Sequence, residues 1–140
     1  MKSFLAISAL TIVIAGLSSV NGFAQSPVRT ATIDPSLQTL TMVNVLTPES
    51  GKQDEVIRLL QAGMDEEMKL QPGFISSTIH RSLNSDHVVV YAQWTDQAAV
   101  DAAVKVIQSG KAPNMQNVFS IASPDFHPYQ VVSTHRSNSK

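Results

Sequence analysis

The sequence predicts an α+β fold, with four antiparallel strands in one sheet and helices packed on one of its faces. Three observations carry that expectation. Alternating polar and β-branched segments are interleaved with two stretches of helical period, in the order β-α-β-β-α-β. The two middle strand segments are separated only by Leu83-Asn84-Ser85-Asp86, a hairpin-length connection that makes them antiparallel neighbours. Cysteine is absent, so one hydrophobic core must hold the fold with no disulfide framework, thiolate nucleophile or Cys-based metal site.

Residues 1–24 read as a secretory signal peptide. Lys2 supplies a positive charge, Phe4 to Leu17 is almost unbrokenly apolar, and Gly22 and Ala24 are the small residues a signal peptidase inspects. The run is shorter than the roughly 20 apolar residues of a spanning helix. Cleavage after Ala24 is expected, a retained anchor being the alternative. The mature protein is then secreted or periplasmic, with no membrane attachment. It keeps nine basic and eleven acidic residues, a net charge near −2. No polycationic surface results, and nucleic acid is not expected as a partner.

Residues 25–38, with Pro27 and Pro35 and no period, form a flexible leader ahead of one domain spanning 39–136. "TLTMVNVLT" (39–47) alternates as a strand does, and Pro48-Glu49-Ser50-Gly51 is a turn with helix-start chemistry. Over 52–71, Val56, Leu59, Leu60, Met64 and Met68 fall near helical spacing until Pro72-Gly73 stops the helix. The methionines sit at core spacing, and "DEEMK" (65–69) reads as a solvated helix face. Residues 74–82 and 87–95 are the hairpin strands. Thr95 can cap the following alanine-rich helix, which Gly110 ends. Residues 112–123 are ambiguous: Pro113 could open a short helix with Val118, Ile121 and Ala122 on its apolar side. Pro124-Asp125 then turns the chain into a last strand at 126–136, and 137–140 is a disordered tail. Two helices on one face of such a sheet make the ferredoxin-like arrangement. The bare face left over would be a large apolar patch, which predicts a homodimer through the sheet faces.

With these elements in place, "PGFISSTIHRS", "VVVYAQW", a helix opening acidic-Gln-Ala and a late "HPYQVV" strand resemble the antibiotic biosynthesis monooxygenase (ABM) family, from about Thr41 to Val132. The resemblance implies a dimeric α+β barrel with a pocket between sheet and helices. It also implies oxygenation of a small phenolic, quinol or anthrone-like molecule with O2, using no flavin, haem or metal. Such chemistry asks a dry pocket to bind the ring, accept a proton and hold a developing oxyanion with fixed donors. Two further readings accompany it: a non-catalytic small-ligand-binding or stress-response module, and haem degradation. Relatives of the last kind carry a haem-ligating His on the second helical region, and residues 96–123 contain no His.

Trp94, the only Trp, matches the family's pocket Trp and combines an apolar plate with an N–H donor. A core or interface role is equally open to a lone Trp on a strand. Alternation puts Val88, Val90, Ala92 and Trp94 on one side, and Val89, Tyr91 and Gln93 on the other. Val90 stands where quinone-forming relatives carry an Asn, on the face of the Trp. Asn44, unusual in mid-strand, aligns with a strand-1 Asn of haem-degrading relatives and can supply the missing amide. His80 is the candidate base. A plain hairpin register pairs it with Val89, on the face opposite Trp94, and a one-residue bulge would reverse this. Val90 and Tyr91 are candidate substrate contacts, Tyr91 and Gln93 also candidates for the sheet-to-sheet interface. The four His have no spacing that suggests a metal.

Overall fold

The computed structural model of the protein describes residues 30–138. The expected signal segment, the start of the leader and the last two residues lie outside them. The elements are β1 (Leu40–Pro48), α1 (Gln53–Glu66), β2 (Phe74–Arg81), β3 (Val88–Trp94), α2 (Gln97–Gln108), α3 (Pro113–Ile121) and β4 (Ala122–Tyr129). The strands form one antiparallel sheet in the order β2-β3-β1-β4, the ferredoxin-like arrangement with a third helix.

The central strands are β1 and β3, paired from Leu40↔Trp94 to Leu46↔Val88. On one face Leu46 and Val88 are wholly buried against Val56 and Leu60 of α1 and Val118 of α3. Each such side chain contributes about 1.5–3 kcal/mol of transfer free energy. The hairpin keeps its plain register, His80↔Val89, and α1 clasps its end. Gln53 Nε2 reaches the carbonyls of Ser85 (3.1 Å) and His87 (3.2 Å), while its Oε1 accepts from Arg81 Nη1 at 2.8 Å.

Four local expectations change. Asp96, not Thr95, caps α2, accepting from the Ala99 amide at 2.8 Å. The Thr95 amide instead donates to the Gly73 carbonyl at 2.9 Å, joining the ends of β3 and β2. The last strand starts at Ala122 straight from α3 and ends at Tyr129, so Pro124 lies within it rather than before it. An edge strand tolerates that residue, since one side of its backbone has no ladder to supply. α1 stops at Glu66, and Glu67 leaves the solvated face expected of it. Its buried carboxylate accepts from the amides of Asn114 (2.7 Å) and Met115 (3.1 Å), capping α3, which has no side-chain cap of its own.

The leader also departs from the flexible segment expected. Pro35–Leu37 form a 3-10 turn capped by Asp34, whose carboxyl the Ser36 amide and hydroxyl hold below its ordinary pKa. The Thr32 carbonyl accepts from Gln93 Nε2 at 3.0 Å, and Ser76 Oγ donates to Gln93 Oε1 at 2.8 Å. Gln93 is therefore buried, 1% exposed, on the face away from the helices, and holds the chain's own leader there. Gln93→Leu should remove both bonds and lower stability by about 1–3 kcal/mol. Amide exchange at residues 30–38 should accelerate with it; unchanged protection would mean that other contacts hold the leader.

Candidate functional site

Side chains on the helix-facing side of the sheet make the floor of a cavity of about 310 Å³. Asn44 of β1, Val90 and Trp94 of β3 and Phe126 of β4 lie on that floor. The walls come from Leu60 and Met64 of α1, Ala103 and Val104 of α2, and Met115 and Phe119 of α3. Phe126 (49% exposed) and Phe119 (37%) keep one side of the cavity open. Met42, Met64, Met68 and Met115, every methionine after Met1, line it. Their unbranched thioethers suit a wall that adapts to a ring. Spacing marked Met64 and Met68 as core; Met68 is buried in it and Met64, half-buried, packs against it. That all four meet at one void becomes visible only when the helices are packed.

A bulge at Ile75 shapes the inner end. The register shifts between Phe74 and Ser76, so Phe74 pairs with Trp94 while Ser76 pairs with Gln93. Phe74 is thereby brought onto the cavity face, where its ring meets Trp94 edge-on, centroids 5.2 Å apart at 83°. Trp94 is 6% exposed, and its indole N–H makes no hydrogen bond to another described residue. The indole is fixed in position with its donor unspent.

Asn44 sits in mid-sheet, directly opposite Val90 on one side and Phe126 on the other. Its amide is therefore one strand across from the position where Asn was expected and Val90 stands. Asn44 Oδ1 is enclosed and has no hydrogen-bond partner. An unpaired enclosed acceptor costs about 1–3 kcal/mol, and such atoms call for a functional account. Trp94 lies four residues along β3 from the residue opposite Asn44, about 13 Å at the rise of a strand. The two polar groups thus stand at separate parts of one apolar cavity.

The structure separates the sequence-derived candidates into two groups. Trp94, Asn44 and Val90 line the cavity together. His80 and Tyr91 do not: His80 is exposed on the opposite sheet face, and the Tyr91 hydroxyl meets Thr41 Oγ1 there at 3.3 Å. The bulge that would have turned His80 inward exists, but it lies at Ile75, on the far side of His80 from the turn, and leaves His80 paired with Val89. His127 bonds Asp125 at 2.8 Å on exposed β4. No Asp, Glu, His, Lys, Arg or Tyr is among the residues lining the cavity; Asn44, Gln108 and the Trp94 indole are its polar side chains. Among the described residues no three His, Asp or Glu side chains gather as metal ligands do, and no helix is long and apolar enough to cross a membrane.

Comparison with known proteins adds the following. The profile of a family described as "Antibiotic biosynthesis monooxygenase" matches residues 39–106. Over 68 residues the chain is 40% identical to Tetracenomycin-F1 monooxygenase of Streptomyces glaucescens, a stretch that covers 49% of this chain and 61% of that relative. Among solved structures, the chain resembles SnoaB of Streptomyces nogalater, described as a cofactor-independent oxygenase (TM-score 0.57, 22% identity, 74% of this chain and 99% of that one). It also resembles the ActVA-Orf6 monooxygenase of Streptomyces coelicolor in complex with Nanaomycin D (TM-score 0.61, 20% identity, 74% and 96%). An anthrone oxidase-like protein matches with TM-score 0.64 at 22% identity, over 78% of this chain and 50% of that one. At these identities the structural likenesses establish the fold.

Proposed function

We propose that the protein is a monooxygenase that brings O2 and a small phenolic, quinol or anthrone-like molecule together with no bound cofactor, a reading supported by the match of residues 39–106 to the antibiotic biosynthesis monooxygenase family. The observation that carries this reading is the cavity itself. It is apolar on almost every side, and its polar groups are the Trp94 N–H and the Asn44 amide on the sheet and the exposed Gln108 amide on α2. Likeness to Tetracenomycin-F1 monooxygenase, 40% identical over 68 residues and 61% of that protein's length, supports the reaction class.

In this proposal an activated methylene of the ring loses a proton, and the resulting anion passes an electron to O2. The two radicals combine into a peroxide, which loses water as the carbonyl forms. The net change is CH2 + O2 → C=O + H2O, the four electrons coming from the substrate carbon. The protein's part is to keep the ring dry against the methionine and Phe74 walls and to hold the developing oxyanion. Trp94 Nε1 is the donor available for it at the inner end of the cavity, and Asn44 Nδ2 is available to a second polar group of the ring further along the floor. No side chain in the cavity can take the proton, so it leaves to water past the half-exposed rings of Phe119 and Phe126.

A homodimer through the open sheet face belongs to the same proposal. Val43, Val45 and Val89 lie there only half-buried, beyond the part that the leader covers. The test is O2 consumption by the purified protein with anthrones and hydroquinones, alongside sedimentation, with catalysed uptake and twice the chain mass expected. Equal uptake with and without protein would end the oxygenase reading. It would favour ligand binding without turnover, the reading that Val90 in place of an amide suggests.

A further inference from the structure

We infer that Met42 is an oxidation site of this protein. An organic hydroperoxide held in the cavity passes its outer oxygen to the Met42 thioether, leaving methionine sulfoxide and the alcohol of the ligand. The inference deepens the proposed oxygenation, since a peroxide forms in that reaction, but its first test needs no turnover.

The sheet register places Met42. On the cavity face of the two central strands Asn44 stands opposite Val90, Met42 opposite Ala92, and Leu40 opposite Trp94. Met42 is therefore one step of the ladder, about 7 Å, from Asn44 on one side and from the Leu40–Trp94 pair on the other. A ring lying between the two polar groups of the floor rests on the Met42–Ala92 pair. Ala92 offers a methyl alone, so Met42 is the reactive half of that pair. The chain has no cysteine, and no His or Tyr lines the cavity. A thioether is then the readiest two-electron reductant that a peroxide meets there.

The sulfur lone pair attacks the outer peroxide oxygen. An S–O bond forms as the O–O bond breaks, and the proton passes to the inner oxygen. The change R–OOH + CH3–S–R′ → R–OH + CH3–S(=O)–R′ balances, sulfur losing two electrons and the peroxide gaining them. In the proposed reaction this route competes with the loss of water that gives the carbonyl. It leaves a polar, chiral sulfoxide on the floor where the ring lay, so each such event disables one cavity.

Burial separates this site from oxidation out of bulk water. Met42 is 7% exposed, whereas Met64 on the α1 wall is half-buried. Peroxide arriving from solvent meets Met64 first, and peroxide seated on the floor meets Met42. Being held in contact raises the rate as it does for any two groups in one complex.

The probe is cumene hydroperoxide, which is aromatic, uncharged and tertiary. Its peroxide carbon carries no hydrogen, so it cannot lose water to a carbonyl and only the oxygen transfer is open. The purified protein is treated with it or with hydrogen peroxide, and peptide mass spectrometry reads the gain of one oxygen at each methionine. At equal oxidation of Met64, Met42 sulfoxide should be about 10-fold more abundant with cumene hydroperoxide. 2-Phenyl-2-propanol should appear in step with the sulfoxide. A Met42-to-Met64 ratio that agrees within about threefold for the two peroxides, or Met42 left unoxidised, would overturn the inference. With an anthrone, O2 and catalase, Met42 sulfoxide should accumulate with turnover, and Met42→Leu should complete more turnovers before inactivation. O2 uptake decides the other reading separately. A protein that consumes no O2 but is oxidised at Met42 by cumene hydroperoxide loses the monooxygenase reading and keeps this one. One that consumes O2 while Met42 stays intact under every treatment does the reverse.

Discussion

Replacing Trp94 by Phe is expected to lower O2-dependent turnover by about 10²–10³-fold, the usual consequence of removing one preorganised donor from an oxyanion. The substitution leaves a ring against Phe74 and keeps the apolar end of the cavity, so it removes the N–H while preserving most of the wall. Binding of an anthrone in the absence of O2, measured by calorimetry, should change by no more than a few-fold. Stability should fall by about 1–2 kcal/mol as the smaller ring leaves a void. A split between unaltered binding and lost turnover would identify the N–H as acting on the transition state. Turnover equal to that of the native protein would show that Trp94 is a wall and that the oxyanion is held elsewhere.

The position of Asn44 bears on the same question. The resemblance led to an amide at position 90, beside the Trp on the same strand, and Val90 stands there. The sheet register supplies an amide across the ladder instead, at Asn44, opposite that very residue. Relocating a donor by one strand keeps it on the cavity floor at a similar depth, because directly opposed residues have Cβ atoms about 4.5–5.5 Å apart. What changes is its direction of approach to a bound ring.

What the sequence made legible followed from local chemistry. The alternation in "VVVYAQW" and the hairpin-length connection before it placed Trp94 and Val90 on one face and paired His80 with Val89, as the register has it. Locally ambiguous points were settled by partners distant in sequence. Thr95 and Asp96 are both competent caps, and Asp96 holds the position while the Thr95 amide is engaged by Gly73. Pro124 looked like a turn because a strand interior excludes it, but β4 proved to be an edge. Gln93 was legible as facing away from the cavity. Its partner Thr32, 61 residues earlier in a segment without period, was not. Glu67 was hidden for the same reason, since its role depends on α3 arriving from 47 residues downstream.

Gly73→Ala should be the most damaging glycine-to-alanine change among the described glycines, and it tests how the inner end of the cavity is assembled. Gly73 has φ +82°, a left-handed conformation that costs a residue with a Cβ about 1–2 kcal/mol. A Cβ there would also stand 2.5 Å from Ala99 Cβ and 2.5 Å from Thr95 Oγ1. The Thr95 hydroxyl can rotate away, but Ala99 Cβ is fixed to α2, so the helix itself must move. Its Ala103 and Val104 form part of the cavity wall, and Phe74, next in the chain, carries the ring set against Trp94. Strain and overpacking together should cost more than about 3 kcal/mol. In thermal unfolding that corresponds to a fall of more than about 10 °C. Gly51→Ala separates the two causes, because Gly51 has a similar φ of +74° with open space where its Cβ would go. It should show the conformational cost alone. A Gly73→Ala protein no less stable than Gly51→Ala would mean that α2 yields freely, and the close fit of α2 against the strand ends would then have no part in fixing the cavity.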